Sequence, residues 1–221
     1  NFIEQNPDEN FDEILDSFKS QYRQYRLEWQ ARSKLVGGND FDSSMKPLCL
    51  DIETAAICDL ACSFCFRDML FTPDKVIDTS FAKSLIDQAA EMQIPSIKLN
   101  WRGEPLLYPK ITELISFAKK KGILEVMINT NATKLTEEKS KELINAGLDV
   151  VIFSFDGGSS STYEKMRPGR FNKNSFDTVY SNIRTFSKVR KSMGSPFPRS
   201  KIQMVLTNDT WAEQSKFFDL F

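Results

Sequence analysis

Three of the four cysteines of this chain fall in one short stretch, Cys58-Asp59-Leu60-Ala61-Cys62-Ser63-Phe64-Cys65. Thiolates spaced by three and then two residues can wrap one corner of an iron–sulfur cubane, one sulfur to each of three irons. The fourth iron then has no protein ligand, and an open iron is a place where a small molecule binds and reacts. An electron carrier ordinarily closes all four irons with cysteine and would show a fourth nearby Cys followed by Pro; neither is present. A structural zinc site wants four ligands in two separated Cys-x-x-Cys pairs, and there is no second pair. Cys49 fits no zinc spacing and reads as a small buried residue. A disulfide is disfavoured in a reducing compartment. An open cluster is thus the leading reading, an iron–sulfur electron carrier the alternative, and a zinc-stabilised binding module the third.

The chain contains no histidine. That excludes His-ligated zinc or non-haem iron, Cys–His nucleophiles and Ser–His–Asp triads, and leaves acid–base work to Asp, Glu, Lys, Tyr or the remaining Cys. Lys plus Arg number 29 against 30 Asp plus Glu, a net charge of −1, so no long-range attraction draws nucleic acid or anionic lipid. Neither is an expected partner. The N-terminal residues lack the basic and apolar regions of a signal peptide, and no apolar run of about 18 residues occurs, so a cytoplasmic setting is expected.

The elements that must position the cysteines are legible from periodicity. Strands are expected near 48–54, 96–101, 124–129, 149–156 and 201–207, with helices near 79–92, 109–121, 136–146 and 174–191. Pro109 suits the first turn of a helix and Thr136 an N-cap, while Gly122 and Gly147 suit the position just past a helix end. About five βα units with crossovers of this length imply a parallel sheet covered by helices, and a last helix barely begun at Trp211 to Phe221. Residues 1–46 differ: Phe11, Ile14, Leu15, Phe18, Tyr22 and Tyr25 recur at helical spacing, and Gly37-Gly38-Asn39-Asp40 breaks the pattern. They read as a helical extension and linker packed outside a core domain at 47–221 that is incomplete at its C-terminus.

Strand alternation indicates the kind of sheet. Leu50 and Ile52, Ile97 and Leu99, Val126 and Ile128, and Val151 and Phe153 share apolar faces. Asp51, Glu53, Lys98, Asn100, Arg102 and Asp156 fall on polar ones near the C-terminal strand ends. Strands buried on both faces would read apolar throughout. The pattern therefore favours an open or partial barrel with helices outside and a polar cavity inside, over a doubly wound sheet.

Cys58-x-x-x-Cys62-x-Phe64-Cys65 resembles the defining motif of the radical S-adenosylmethionine (SAM) superfamily. Arg102-Gly103-Glu104-Pro105 is similar to that family's Gly-Gly-Glu-Pro turn, with Arg for the first Gly. Asn129-Thr130-Asn131-Ala132 resembles its Thr-Thr-Asn-Gly stretch. Ser154-Phe155-Asp156-Gly157, followed by Tyr163 to Gly169, resembles the region after strand four in the subfamily with SPASM or twitch-type C-terminal extensions. The resemblance covers about residues 47 to 210 and implies a partial (β/α)6-type radical SAM barrel.

The resemblance also implies the roles of the site residues. Cys58, Cys62 and Cys65 would hold a [4Fe–4S] cluster, and SAM would chelate its open iron. Gly103 would let the backbone approach the methionyl amino group, with Glu104 or a nearby carbonyl accepting its proton. Ser154 and Asn129 would bond the ribose, Arg167 the SAM carboxylate. Phe64 would flank the adenine, with Gln203 offering it a backbone contact. Reductive cleavage of SAM, with electrons from a donor such as flavodoxin or ferredoxin, would yield a 5′-deoxyadenosyl radical that takes a hydrogen atom from a polar substrate. Peptide modification and carbohydrate chemistry are the favoured substrate classes, and Arg102 is a candidate to meet an anionic one. No residue is assigned as catalytic, and no cysteine follows Cys65 to hold an auxiliary cluster.

Overall fold

Five strands pair in the order in which the chain makes them, and every pair is parallel. They are β1 (Cys49–Asp51), β2 (Ser96–Lys98), β3 (Glu125–Thr130), β4 (Val150–Ser154) and β5 (Arg199–Gln203). The computed structural model describes residues 20–35, 45–69 and 73–221. Sequential order decides between the two expected architectures. A doubly wound sheet reverses its strand order to put helices on both faces, whereas sequential right-handed crossovers put them all on one. The structure is the partial barrel.

The helices are α1 (Ser20–Ser33), α2 (Thr79–Glu91), α3 (Ile111–Lys120), α4 (Glu137–Asn145), α5 (Ser160–Met166), α6 (Phe176–Ser192) and α7 (Gln214–Leu220). Ile97, Val126, Ile128, Val151 and Phe153 are buried in one core with Ile86 of α2, Leu114 of α3, Leu143 of α4 and Phe186 of α6. Each such side chain contributes about 1.5–3 kcal/mol by leaving water. The alternate residues Lys98, Met127, Asn129, Ile152 and Ser154 are half-buried on the concave face. Period-two patterning thus separates the helix side of the sheet from the site side.

Local signals explain most boundaries. Asp78 caps α2 by accepting the Phe81 N–H at 2.9 Å, and Thr136 caps α4 through the Lys139 N–H at 3.1 Å. Gly122 and Gly147 follow α3 and α4 with φ of +87° and +84°. Several expectations need correction. Helix α3 starts at Ile111, with Lys110 as an N-cap that makes no side-chain bond, so Pro109 precedes the helix. The proline that opens a helical turn is Pro105, in the 3-10 turn Pro105–Leu107. Strand β5 ends at Gln203, short of the expected 207, because the Val205 N–H leaves the ladder for the Asp156 carboxylate at 2.5 Å. The short α5 was not expected; its N-cap Ser159 accepts the Thr162 N–H at 3.4 Å.

Helix α1 is packed against the N-terminal end of β3. The hydroxyls of Tyr22 and Tyr25 donate to the buried Glu125 carboxylate at 2.5 and 2.8 Å, and Arg26 reaches it at 3.3 Å. Burial pushes both phenols well above their usual range, with the Glu125 charge adding to it. Phe11, Ile14, Leu15, Phe18 and the Gly37 to Asp40 break lie outside the described residues.

Candidate active site at the cysteine loop

The loop after β1 has little regular structure of its own and is held by three neighbours. On one side, the Ala56 N–H bonds Lys75 O at 2.8 Å and the Ile77 N–H bonds Thr54 O at 3.0 Å. The turn after β2 adds Glu104 N–H to Ile57 O at 2.9 Å. From the segment after α5, Pro168 O accepts the Ala61 N–H and the Arg170 N–H bonds Asp59 O, both at 2.8 Å. Asp74 ties two of these together, accepting from Arg67 and from Arg170 Nη1 at 2.7 Å. Backbone bonds thereby fix the loop that carries Cys58, Cys62 and Cys65.

All three thiols are free and half-buried. Burial pushes the Cys58 thiol up to about 12, and the Glu104 and Asp59 charges push the same way. Burial also raises Cys62, against the opposing Arg167 charge. Among the described residues no three His, Cys, Asp or Glu side chains converge on one point as a single metal ion requires. A cubane asks for something else, one thiolate per iron, and gains its ligands by displacing their protons. Asn131 Nδ2 lies 3.8 Å from Cys58 Sγ and Arg167 Nη1 lies 3.8 Å from Cys62 Sγ. N–H donors aimed at these sulfurs suit thiolates that carry negative charge, which is what a cluster makes of them.

Gly103 and Glu104 also make close contacts within the protein. A Cβ on Gly103 would stand 2.0 Å from Ala55 O and 2.6 Å from Ile57 O. Glycine here lets the turn press against the cysteine loop itself. Glu104 is 2% exposed. Its Oε1 accepts from Leu106 N–H at 2.9 Å and Thr130 Oγ1 at 2.7 Å, and its Oε2 from Asn131 N–H at 2.7 Å. Burial outweighs these donors and pushes the carboxyl up to about 7. Glu104 therefore braces the β2 and β3 ends against each other.

The remaining expected contacts lie along the strand ends. Asn129 Oδ1 is buried without a hydrogen-bond partner, while its backbone N–H is taken by Asn100 Oδ1 at 2.7 Å. An orphaned buried acceptor normally marks a place for a donor outside the protein. Ser154 ends β4 opposite Gln203 on β5, and Gln203 O accepts the Phe155 N–H at 2.9 Å. Phe64 is 37% exposed, with the Arg167 guanidinium 5.7 Å from its ring centre. Arg167 itself is gripped by Asp156, whose Oδ2 takes Nε at 2.6 Å and Nη2 at 2.5 Å. Asp156 is fully buried and Arg167 nearly so.

The polar side chains at the strand ends are largely paired within the protein. Glu53 holds Arg102 through its backbone N–H at 3.1 Å and Nε at 2.9 Å, and the guanidinium stacks 4.5 Å over Trp101. Arg102 is thus spent within the protein. Asn100 and Asp156 are likewise committed to Asn129 and Arg167, and Asp51 is exposed beside Cys49. The structure adds residues that sequence reasoning left without a role. Asp59 accepts from Asn131 Nδ2 at 2.8 Å and from Thr133 Oγ1 at 2.6 Å. Asn131 belongs to the Asn129-Thr130-Asn131-Ala132 stretch, but nothing local in sequence points it at Cys58, 73 positions earlier.

Comparison with known proteins agrees with this architecture. Residues 52–214 match the radical SAM superfamily. A tungsten-containing aldehyde ferredoxin oxidoreductase cofactor-modifying protein of Pyrococcus furiosus is 26% identical over 169 residues, 74% of this chain and 45% of that protein. A probable GTP 3′,8-cyclase of Methanothermobacter marburgensis is 32% identical over 123 residues, 55% of this chain and 40% of its own. Mycofactocin maturase MftC of Mycolicibacterium smegmatis is 25% identical over 171 residues, covering 77% and 41%. The chain spans less than half the length of these relatives. SuiB of Streptococcus suis bound to S-adenosylmethionine superposes with a TM-score of 0.64 at 20% identity, over 99% of this chain and 48% of that one. The enzyme anSMEcpe with bound AdoMet gives 0.63 at 21%, covering 79% and 48%. The fold, the three-cysteine loop and this family match lead to one assignment: the chain belongs to the radical SAM superfamily, whose enzymes use a [4Fe–4S] cluster and S-adenosylmethionine.

Proposed function

We propose that Cys58, Cys62 and Cys65 ligate the cluster and that SAM binds its open iron across the C-terminal ends of β2 to β5. The observation that carries this reading is the pairing of three free thiols, two of them met by N–H donors, with the orphaned acceptor of Asn129 on the same side of the sheet. When bound, the group supplies a one-electron cleavage of SAM that removes hydrogen from an otherwise unreactive carbon. The chain's own residues do the placing. Asn129 Oδ1 accepts a ribose hydroxyl, and Ser154 at the end of β4 supplies a second ribose contact. Phe64 covers the adenine, and Gln203 offers the backbone edge beside it. Gly103 and Glu104 shape the turn against which the methionyl end rests. Arg167 faces the SAM carboxylate with whatever donor capacity Asp156 leaves it.

The substrate in this reading is polar, and peptide modification or carbohydrate chemistry remain its classes. The peptide reading draws support from the likeness to a maturase. A flavodoxin- or ferredoxin-type donor provides the electron. The division into an N-terminal extension at 1–46 and a core at 47–221 belongs to the same proposal. No helix among the described residues is long and apolar enough to cross a membrane, and a cytoplasmic site of action is part of the proposal. The test is anaerobic incubation of reconstituted protein with SAM and dithionite, with chromatography of the nucleoside products. Formation of 5′-deoxyadenosine by the wild type, and none by the C62S variant, supports the reading. Equal product from both would remove Cys62 from the ligand set.

A further inference from the structure

Two of the three sulfurs in the cysteine loop are approached by a side-chain N–H whose direction is fixed from behind. The amide of Asn131 is locked at both ends. Its Oδ1 accepts from Thr133 N–H at 3.0 Å, while Nδ2 gives one hydrogen to Asp59 Oδ1 at 2.8 Å. Its backbone N–H is held by Glu104 at 2.7 Å. With acceptors on one side and donors on the other, the amide cannot flip, and its second Nδ2 hydrogen is directed at Cys58 Sγ, 3.8 Å away.

The second donor is built differently and ends alike. Asp156 holds Arg167 Nε and Nη2 at 2.6 and 2.5 Å, and Asp156 is itself fixed by the Val205 N–H at 2.5 Å. Arg167 O accepts from Asn174 Nδ2 at 2.8 Å. A planar guanidinium clamped along one edge presents its remaining nitrogen in one direction, and Nη1 lies 3.8 Å from Cys62 Sγ. The carboxylate largely cancels the guanidinium charge, so what reaches the sulfur is mainly the local N–H dipole. Among the described residues no side chain donates to Cys65 Sγ. The three ligands are therefore unequal.

Hydrogen bonds to a cluster's ligating sulfurs draw off charge and favour the more negative, reduced state. We propose that Asn131 and Arg167 are positioning residues that raise the reduction potential of the cluster, each through one N–H directed at a ligating sulfur. This inference rests on the reading that Cys58, Cys62 and Cys65 hold the cluster. It assigns Asn131 a role separate from contact with SAM or substrate, and gives the Asp156 pair a purpose beyond stability.

The test is an EPR-monitored redox titration of the anaerobically reconstituted full chain without SAM, with iron and sulfide quantified first. N131L removes the donor, keeps the same branching of heavy atoms and adds no charge. R167K keeps the positive charge beside Asp156 and loses the arm that reaches Cys62. The midpoint is expected to fall in both, in N131L by an amount equal to roughly tenfold in the reduced-to-oxidised ratio, ~59 mV for one electron. R167K is expected to move the same way by less. Unchanged midpoints in both variants at full iron content overturn the inference. If N131L cannot hold a cluster, R167K decides alone: a lowered midpoint supports it and an unmoved one overturns it. Absence of any cluster in the wild type would instead overturn the ligand reading beneath it. The two failures are therefore distinguishable.

Discussion

Replacing Gly103 by alanine adds one carbon where the structure has no room for it. The new Cβ would stand 2.0 Å from Ala55 O, 2.6 Å from Ile57 O and 2.8 Å from Ala55 C. All three are backbone atoms of the cysteine loop, so no side-chain rotation relieves the contact. An ordinary carbon–oxygen separation is well over 3 Å, so the loop and the turn must part by about 1 Å. That parting breaks the Glu104 N–H to Ile57 O bond, now 2.9 Å, at a cost of about 1 kcal/mol. Overpacking adds about 1–3 kcal/mol. The sum, roughly 2–4 kcal/mol, corresponds to a fall in melting temperature of roughly 10 °C for a chain of this size. Because the displaced atoms carry the approach to Cys58, iron retention should fall more steeply than global stability does. Thermal melts of the apo-protein and iron quantification after reconstitution measure the two effects separately. A G103A protein with the melting temperature and iron content of the wild type would refute the packing argument.

Three further perturbations act elsewhere. Replacing both Tyr22 and Tyr25 by Phe strips the buried Glu125 of two donors and leaves Arg26; urea unfolding should show a loss of about 2–4 kcal/mol, with iron content unchanged. Alanine at Asp156 leaves the Arg167 guanidinium buried and unpaired, and should cost about 3–5 kcal/mol in the same assay, where a loss below ~1 kcal/mol would contradict it. Burial pushes the Asp149 carboxyl from 3.8 up to about 6 even though Lys119 Nζ sits 2.7 Å away. The fold therefore favours the protonated acid, and this group's contribution is full below about pH 4 and is lost as pH rises through 6. The stability of the wild type relative to D149N should fall across that window by on the order of 3 kcal/mol, and a difference that does not change with pH would contradict the assignment.

Much of the architecture was legible because it depends on short-range patterns. Period-two alternation placed Ile97, Val126, Ile128, Val151 and Phe153 on the helix side, and all are buried there. Cap residues such as Thr136 and Gly147 marked helix ends because their chemistry is local. What could not be read depends on contacts far apart in sequence. The early end of β5 is set by Asp156, and the late start of α3 follows a turn braced by Glu104. In the site, the cysteine spacing announced the loop but not what surrounds it. Gly103 was noticed as a glycine, yet the backbone pressing on it, at Ala55 and Ile57, lies more than forty positions earlier. From sequence, Arg102 and Arg167 are expected to face an anionic ligand. Pairing with Glu53 and Asp156 is the rule for a buried or half-buried charge, and sequence does not reveal the partner.

The most direct test of the central claim, an open iron held by three cysteines, is the EPR spectrum of the anaerobically reconstituted, reduced protein with and without SAM. The account predicts a [4Fe–4S] signal whose g-values shift when SAM is added, because the ligand enters the coordination sphere of an iron that no residue occupies. A cluster signal identical in the presence and absence of SAM would contradict it.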